Sequence, residues 1–290
     1  MIKFTKVAAI DIGSNAMRLL INDVIESKDE KKYIKESLIR VPVRLGTEVF
    51  TKGEISEESR ERLVHSVMAY KHLMVAHGVK YFRGCATSAM REAKNGKEII
   101  KSIKETTGIN IEIIDGQEEA AIIYANHIEK LIADDNAYLY VDVGGGSTEL
   151  TVINKGEIVA AKSFKIGTLR ILNDMVNQEM WNDLKAWLME NLPHGKVDLI
   201  GSGGNINKVA KVSGKDVSKP VSYTYLKKYF KELQKYNYEE RILKLDLKPD
   251  RADVIIPAMQ IFTSIMKWTK ATKIYIPKMG LADGIIKQLY

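Results

Sequence analysis

The stretch VDVGGGSTEL, residues 141–150, decides the fold class, because it completes the apolar run AYLYV and then places three glycines in a row. A plain hairpin turn requires one glycine or two, so the third exceeds what a turn alone needs. Glycine has no Cβ atom that would hold a ligand away, and successive backbone N–H groups can therefore close around phosphate oxygens. The stretch predicts two neighbouring strands joined by an anion-binding turn.

A second copy of this pattern indicates an internal duplication. VAAIDIGSN at 7–15 aligns with YLYVDVGGGST at 138–148, and Asp11 and Asp142 occupy equivalent places. An alternating strand, a polar turn and a third strand follow each copy, so each half predicts a β-meander. Two such turns in register favour a phosphate-handling protein more than one turn does.

Each predicted meander is followed by the same order of elements. The third strand is expected to end in a similar tripeptide, LGT at 45–47 and IGT at 166–168. Apolar residues at helical spacing come next, and then another strand that ends in small residues. This order predicts an α/β protein of two related domains, residues 1–117 and 118–290, that face each other.

The composition limits the class of protein. At 290 residues, with 45% hydrophobic and 28% charged residues, the chain can bury two cores. It has no apolar run near the roughly 20 residues of a membrane span, and its single cysteine, Cys85, favours a reducing cytoplasm. The net charge of +7 favours an anionic partner, although scattered surface lysines explain it equally well. Helical spacing in the lysine-rich stretch 227–236 predicts an amphipathic helix rather than a nucleic-acid site.

Five stretches, in their order and spacing, resemble the exopolyphosphatase and guanosine pentaphosphate phosphohydrolase family of the actin-like, Hsp70-like and sugar-kinase superfamily. They are IDIGSNAMRLL (10–20), CATSAMREAKNG (85–96), IDGQEEA (114–120), VDVGGGSTEL (141–150) and IGSGGN (200–205). The resemblance covers nearly the whole chain. It implies two related actin-like (ribonuclease H-like) domains with an active-site cleft between them. It also implies Mg²⁺-dependent release of the terminal phosphate from inorganic polyphosphate, from guanosine pentaphosphate, or from both.

Two departures from the family pattern concern the C-terminal part. Larger members of the family carry further helical domains that help to grip long polyphosphate, whereas this sequence ends at Tyr290. The segment GLADG at 280–284 has Ala282 where an arginine is common in the family. We therefore expect a preference for short polyphosphate chains.

The acidic pair at 118–119 contains the expected catalytic base. Asp115 can cap a helix, and Glu118 stands at the capping-box position three residues later. Glu119 points about 100° away from Glu118 on a helix, and its side chain has no such structural role. From the residues alone, a solvated acidic first turn is an adequate explanation for Glu119. The resemblance implies instead that Glu119 activates the attacking water.

Phosphate-binding groups are expected near both glycine turns. Arg18 and Arg91 are the candidates that stabilise transferred charge, and surface ion pairing is the alternative for Arg91. The resemblance implies that both arginines reach substrate phosphates. The remaining expected donors are Ser14, Asn15, Ser88, Gly145, Gly146, Ser147, Thr148, Gly203, Gly204 and Asn205.

The expected cofactor is Mg²⁺. Asp142 and Glu149 are hard oxygen ligands on either side of the second glycine turn, and Mg²⁺ is commonly held by one or two carboxylates. Asp11 is a further candidate from the other domain. The alternative is that these carboxylates accept hydrogen bonds from their own turns. Five histidines and one cysteine, scattered along the chain, offer no zinc pattern.

Several functions stay open at this stage. Exopolyphosphatase activity on short chains is the main prediction, and guanosine pentaphosphate phosphohydrolase activity is the alternative. A kinase of the same superfamily and a non-catalytic sensor of guanosine tetraphosphate or polyphosphate are two further alternatives. The expected partners are the substrate and, as an option, a second copy of the chain in a homodimer. Neither a membrane nor a specific nucleic acid is expected.

Overall fold

A computed structural model of the chain describes residues 2–125 and 136–290. These residues divide into two compact units. The first unit contains the described residues before position 127 together with Leu281–Tyr290, and the second contains the described residues from there to Gly280. Each unit is built on its own mixed β-sheet.

The strands of the described residues form these two sheets. In chain order they are β1 (Lys3–Ile12), β2 (Met17–Glu26), β3 (Lys31–Val41), β4 (Tyr81–Ala86), β5 (Glu112–Ile113), β6 (Ala137–Val143), β7 (Thr148–Asn154), β8 (Glu157–Phe164), β9 (Val197–Ser202), β10 (Val221–Ser222) and β11 (Lys273–Tyr275). The first sheet has the order β3-β2-β1-β4-β5, and the second has the order β10-β11-β9-β6-β7-β8.

The two sheets repeat one topology. β1, β2 and β3 form an antiparallel meander, and β4 and β5 continue the sheet in parallel with β1. β6, β7 and β8 form the second meander, which β9 and β11 continue in parallel, and β10 adds an antiparallel edge. The predicted α/β class and both predicted meanders are confirmed. The glycine turns therefore lie between β1 and β2 and between β6 and β7.

Helices fill the connections between strands. In chain order they are α1 (Leu45–Lys52), α2 (Glu57–Ala76), α3 (Ser88–Glu92), α4 (Gly96–Thr107), α5 (Gly116–Tyr124), α6 (Thr168–Leu172), α7 (Gln178–Asn191), α8 (Gly204–Val212), α9 (Tyr223–Leu233), α10 (Tyr238–Leu243), α11 (Pro249–Ala252), α12 (Ile255–Trp268) and α13 (Leu281–Leu289). Capping residues set several of the starts. Ser56 accepts a hydrogen bond from the Ser59 N–H before α2, and Asn177 accepts one from the Met180 N–H before α7.

The second unit packs its helices on its sheet through a continuous apolar core. Leu139 and Val141 of β6 belong to the same buried cluster as Phe262 and Met266 of α12. Full burial of one such side chain stabilises the fold by roughly 1.5–3 kcal/mol. This packing fixes β6, and β6 in turn fixes the start of the second glycine turn.

The predicted ends of the third strands are wrong. β3 ends at Val41 and β8 at Phe164, whereas the tripeptides at 45–47 and 166–168 lie at the starts of α1 and α6. The physical reason is that the chain leaves the sheet edge and returns to the glycine turn. There the tripeptide backbone bonds to the turn: the Gly46 N–H donates to the Ser14 carbonyl at 2.8 Å.

The observed units also differ from the expected ranges 1–117 and 118–290. Position 117 lies inside α5, which belongs as a whole to the first unit. The last helix, α13, belongs to the first unit, where it packs on α5 and β1. Gly284 explains this contact, because a Cβ atom at this position would overlap the Ile122 carbonyl of α5. Ala282 is buried in the same helix.

The lysine-rich stretch forms α9, as predicted for an amphipathic helix. Leu226 and Leu233 are buried on its inner face, and Lys227, Lys228 and Lys231 are exposed. Among the residues that the structure describes, no helix has the length and apolar character needed to cross a bilayer.

Candidate functional site

The first glycine turn contains a complementary ion pair. The turn itself is closed by a hydrogen bond from the Gly13 N–H to the Ala16 carbonyl, at 3.2 Å. Asp11 and Arg18 lie directly opposite each other on β1 and β2. Arg18 Nη1 donates to Asp11 Oδ2 at 2.6 Å, and the Asp11 side chain is only 4% exposed. Arg18 therefore supplies a positive partner to the buried Asp11 carboxylate.

A buried serine pair joins this turn to α3. Ser14 Oγ lies 2.8 Å from Ser88 Oγ, and both residues are buried. Arg91 of the same short helix donates from Nη1 to the Ile114 carbonyl at 2.6 Å. Arg91 forms no ion pair with any residue that the structure describes, so the surface-pairing alternative is not observed. The first turn, α3 and the residue preceding Asp115 are thus held together within the first unit.

The start of α5 differs in part from the predicted capping box. Asp115 is the N-cap, and its Oδ1 accepts hydrogen bonds from the N–H groups of Gln117 and Glu118 at 2.9 and 2.8 Å. The reciprocal bond, from the Asp115 N–H to the Glu118 carboxylate, is not formed. That carboxylate instead accepts from Arg83 Nη2 at 2.7 Å. A charged donor forms a stronger bond than a backbone N–H, and the hydrogen bonds to Glu112 and then Glu118 raise the pKa of Arg83.

The two adjacent glutamates occupy different environments. The Glu118 side chain is 45% exposed, whereas Glu119 is buried, with 7% of its surface exposed. This contrast is what their angular separation on a helix predicts. It leaves Glu118 in a surface ion pair and Glu119 in a buried position.

The second glycine turn places two acidic residues side by side. The Gly144 N–H donates to the Ser147 carbonyl at 3.0 Å, which is the same closure as in the first turn. Asp142 and Glu149 lie directly opposite each other on β6 and β7. Residues opposite each other on antiparallel strands project from the same face of the sheet. Glu149 is 3% exposed and accepts a hydrogen bond from Ser163 Oγ at 2.9 Å.

The side chain of Thr148 supports the turn. Thr148 is fully buried, and its hydroxyl donates to the Ile166 carbonyl at 2.5 Å. Because the hydroxyl proton is used in this bond, it is not directed at a ligand. The Thr148 hydroxyl therefore supports the backbone between β8 and α6.

The carbonyl oxygens of the glycine triplet all face the start of α6. Gly144 O accepts from the Thr168 N–H at 3.0 Å, Gly145 O from the Leu169 N–H at 2.8 Å, and Gly146 O from Arg170 Nε at 2.7 Å. In a trans peptide the N–H points opposite to the C=O of the same unit. The N–H groups of the next residues, Gly145, Gly146 and Ser147, therefore point away from α6. No acceptor for these three groups occurs among the described residues.

The start of α8 lies against the end of β6. Gly203, the N-cap, has a φ of 111° and makes no side-chain capping bond. A Cβ atom on Gly203 would lie 2.8 Å from the Val143 carbonyl oxygen and 3.5 Å from Asp142 Oδ1. Only glycine permits this approach, which brings the uncapped N–H groups of α8 beside the second turn. Gly204 and the buried Asn205 follow directly in the chain.

Two arginines near the second turn were not predicted from the sequence. Arg170 is buried behind the glycine triplet, and the sequence signal for it is a charged residue within the apolar segment TLRIL. Arg251 Nη2 would lie 3.4 Å from a Cβ atom on Gly204. The segment around Arg251 carries no motif that identifies this contact.

The donor set of the second turn fits Mg²⁺. Facing like charges on neighbouring strands destabilise each other, and a divalent cation between them removes the repulsion. Asp142 and Glu149 supply the hard oxygen atoms that Mg²⁺ prefers. No group of three or more acidic, histidine or cysteine side chains suited to a metal occurs within residues 2–125 and 136–290. The two carboxylates therefore suit one Mg²⁺ ion whose remaining ligands are water and phosphate oxygens.

Comparison with known proteins identifies the family. Residues 24–290 match the sequence profile of the Ppx/GppA phosphatase family. The chain belongs to the Ppx/GppA phosphatase family. The predicted family is therefore confirmed.

Curated relatives carry several names within this family. Exopolyphosphatase 2 of Mycobacterium tuberculosis is 33% identical over 58% of this chain and 54% of its own length. A guanosine-5'-triphosphate,3'-diphosphate pyrophosphatase of Photobacterium profundum is 23% identical over 97% of the chain and 57% of its own length. A bifunctional 3-dehydroquinate synthase/phosphatase of Fusobacterium nucleatum is 34% identical over 64% of the chain and 30% of its own length. The matches thus span between about a third and somewhat over half of these relatives.

Solved structures of Ppx/GppA proteins share the fold over the whole chain. The Aquifex aeolicus Ppx/GppA enzyme has a TM-score of 0.78 at 25% identity, with 99% of this chain and 100% of that chain covered. An exopolyphosphatase from Cytophaga hutchinsonii has a TM-score of 0.82 at 24% identity, with 97% and 96% covered. The likeness confirms the predicted pair of actin-like α/β domains.

Proposed function

We propose that the chain is a Mg²⁺-dependent phosphohydrolase that releases the terminal phosphate of inorganic polyphosphate and favours short chains. The observation that carries this proposal is the second glycine turn, where the N–H groups of 145–147 have no acceptor among the described residues. Such an array binds phosphate oxygens. The acidic pair opposite the turn suits the metal that accompanies such substrates.

The proposed reaction is the transfer of a phosphoryl group to water. The water oxygen forms a bond to the terminal phosphorus, the bridging P–O bond breaks, and the leaving oxygen stays on the shortened chain. Glu119 accepts the proton of the attacking water. Arg91 and Arg18 stabilise the charge on the transferred group.

The metal has a limited part in the proposal. Asp142 and Glu149 would hold it, and when bound it neutralises charge on phosphate oxygens. Asp11, the third expected ligand, is assigned instead to Arg18, because their ion pair already neutralises its buried carboxylate. Ser14, Asn15 and Ser88 in the first unit, and Gly203, Gly204 and Asn205 in the second, remain proposed phosphate contacts.

Guanosine pentaphosphate is the second candidate substrate. The Photobacterium profundum relative, whose name states that it is a guanosine-5'-triphosphate,3'-diphosphate pyrophosphatase, matches 97% of this chain. Both candidate substrates end in a phosphoanhydride, so the same base and the same glycine turn serve either one.

We also propose a cytoplasmic location, which rests on the chemistry of the single cysteine. Cys85 is buried, and this burial raises the pKa of its thiol to about 12. A thiol in this state is protonated at neutral pH and unreactive.

The test is phosphate release from short polyphosphate, long polyphosphate, guanosine pentaphosphate and ATP, each with and without Mg²⁺. We expect orthophosphate from short polyphosphate only when Mg²⁺ is present. Transfer of labelled phosphate to a sugar or small acid would instead establish a kinase. Measurable binding without release from any of the four substrates would establish a sensor, and a clear preference for very long chains would contradict the expected length preference.

A further inference from the structure

A buried arginine behind the second glycine turn has no part in the chemistry proposed above. Arg170 is only 6% exposed, although it lies in the short apolar helix α6. Burial of a charged group is costly unless hydrogen bonds satisfy it. Its Nε donates to the Gly146 carbonyl at 2.7 Å, so part of the guanidinium is used to hold the turn.

This bond differs in kind from the two beside it. Gly144 O and Gly145 O are held by backbone N–H groups of α6, which any residue there would supply. Gly146 O is held by a side chain, so this bond alone depends on the identity of a residue. The backbones also lie very close, because a Cβ atom on Gly167 would overlap the Gly145 carbonyl. The orientation of the peptide between Gly146 and Ser147 therefore depends on the Arg170 side chain.

The residue that corresponds to Arg170 in the first unit is apolar. Two residues after the threonine of each tripeptide stand Val49 in α1 and Arg170 in α6. The turn carbonyls of Ser14 and Asn15 are held by the backbone N–H groups of Gly46 and Arg44. At this position an arginine stands behind the turn that has three glycines, where no side chain restricts the peptide planes, and a valine stands behind the other turn.

We propose that Arg170 is a positioning residue that fixes the peptide between Gly146 and Ser147 so that the Ser147 N–H binds a phosphate oxygen. The guanidinium holds the carbonyl of this peptide, and the N–H of the same peptide points the opposite way. The proposal rests on the proposed function only for the kind of anion, a terminal phosphate.

The test uses tripolyphosphate as the probe and amide NMR signals as the measurement. In the wild-type protein we expect the ¹⁵N–H signals of Gly145, Gly146 and Ser147 to shift as tripolyphosphate is added. Arg170→Met keeps the apolar stem and removes the donor. It is expected to abolish the Ser147 response and to weaken tripolyphosphate binding about tenfold or more, the loss expected when a charge-assisted hydrogen bond is removed.

Two further variants make the test specific. Arg170→Lys keeps the charge without the planar donor, so it is expected to fold and to bind tripolyphosphate more weakly than wild type. Lys71→Gln is the matched control: it removes a cation that donates to the Thr107 carbonyl at 2.7 Å, in the first unit. It should leave the Ser147 response and the tripolyphosphate affinity unchanged.

The outcomes separate this inference from the proposed function. If the Ser147 amide signal of the wild-type protein does not shift when tripolyphosphate is added, the inference is overturned, irrespective of the results for the variants. A folded Arg170→Met or Arg170→Lys protein with wild-type affinity and an unchanged Ser147 response also overturns it. If tripolyphosphate shifts Ser147 in the wild type and not in the variants, the inference holds. It holds in that case even if none of the candidate substrates is hydrolysed and the proposed function fails.

Discussion

The two glycine turns have the same backbone pairing, but the facing side chains have unlike charges at the first turn and like charges at the second. In each unit an aspartate is the last residue but one of the first strand of the meander, and it lies directly opposite the second residue of the next strand. In the first unit that residue is Arg18, which forms a 2.6 Å ion pair with Asp11. In the second unit it is Glu149, so two carboxylates face each other. The duplicated fold thus holds a complementary pair in one unit and a pair suited to a cation in the other.

The turns also differ in the groups that they offer to an anion. The first turn carries side chains, and Ser14 is already bonded to Ser88. The second turn has glycine at 144–146 and presents three consecutive N–H groups. The second turn is therefore the one whose groups suit both a cation and phosphate oxygens.

The largest effect is expected for the base, in the first unit. Glu119→Gln should lower kcat by roughly 10²- to 10⁴-fold, because loss of a general base has this magnitude. Substrate affinity and the thermal midpoint should change little, since the amide has the shape of the carboxylate and the second turn is untouched. Steady-state kinetics, substrate binding and thermal unfolding measure the three quantities.

Glu118→Gln is the control for this prediction. Glu118 lies on the surface in an ion pair with Arg83, and exposed pairs contribute only about 0–1 kcal/mol to stability. Its kcat should stay within a few-fold of wild type. If Glu118→Gln were the inactive variant, the catalytic role would move to that residue; if both variants were active, the base would lie elsewhere.

An intermediate effect is expected on stability when the ion pair of the first turn is removed. Arg18→Met leaves the buried Asp11 carboxylate without its guanidinium partner. We expect this to lower the free energy of unfolding by about 2 kcal/mol, less than for a fully buried pair because Arg18 is one third exposed. Part of the loss should return in the double variant Asp11→Asn/Arg18→Met. Urea unfolding in Mg²⁺-free buffer measures each change.

The matched change in the second unit is Glu149→Gln. It removes one of two facing negative charges, and glutamine can still accept the hydrogen bond from Ser163. Its cost in Mg²⁺-free buffer should therefore be smaller than that of Arg18→Met. An equal or larger loss would show that the carboxylate pair stabilises the fold by itself, which contradicts the contrast between the turns.

Features that depend on local sequence could be predicted. Strand alternation gave both meanders, and the repeated Asp-x-Gly pattern placed the two turns at equivalent points of the sheets. The angular separation of Glu118 and Glu119 on a helix correctly predicted that their environments differ. In each case the pattern is set by residues close in the chain.

Features that depend on contacts between distant residues could not be predicted. The Glu118 carboxylate bonds to Arg83 of β4 instead of forming the capping box, and Arg83 lies 35 residues earlier in the chain. The bond from Arg170 to Gly146 spans 24 residues, and nothing in either segment indicates that they meet. The return of α13 to the first unit depends on the close approach of Gly284 to Ile122. Sequence periodicity carries no information on such contacts.

The central claim is that the second turn, and not the first, holds the metal, and calorimetric titration with Mg²⁺ tests it most directly. We expect one Mg²⁺ site in the wild-type chain, with affinity at least about tenfold weaker in Asp142→Asn and in Glu149→Gln, since each removes a carboxylate ligand. Asp11→Asn, the matched change in the first turn, should bind Mg²⁺ as the wild type does. Wild-type affinity in Glu149→Gln, or an equal loss in Asp11→Asn, would contradict the account.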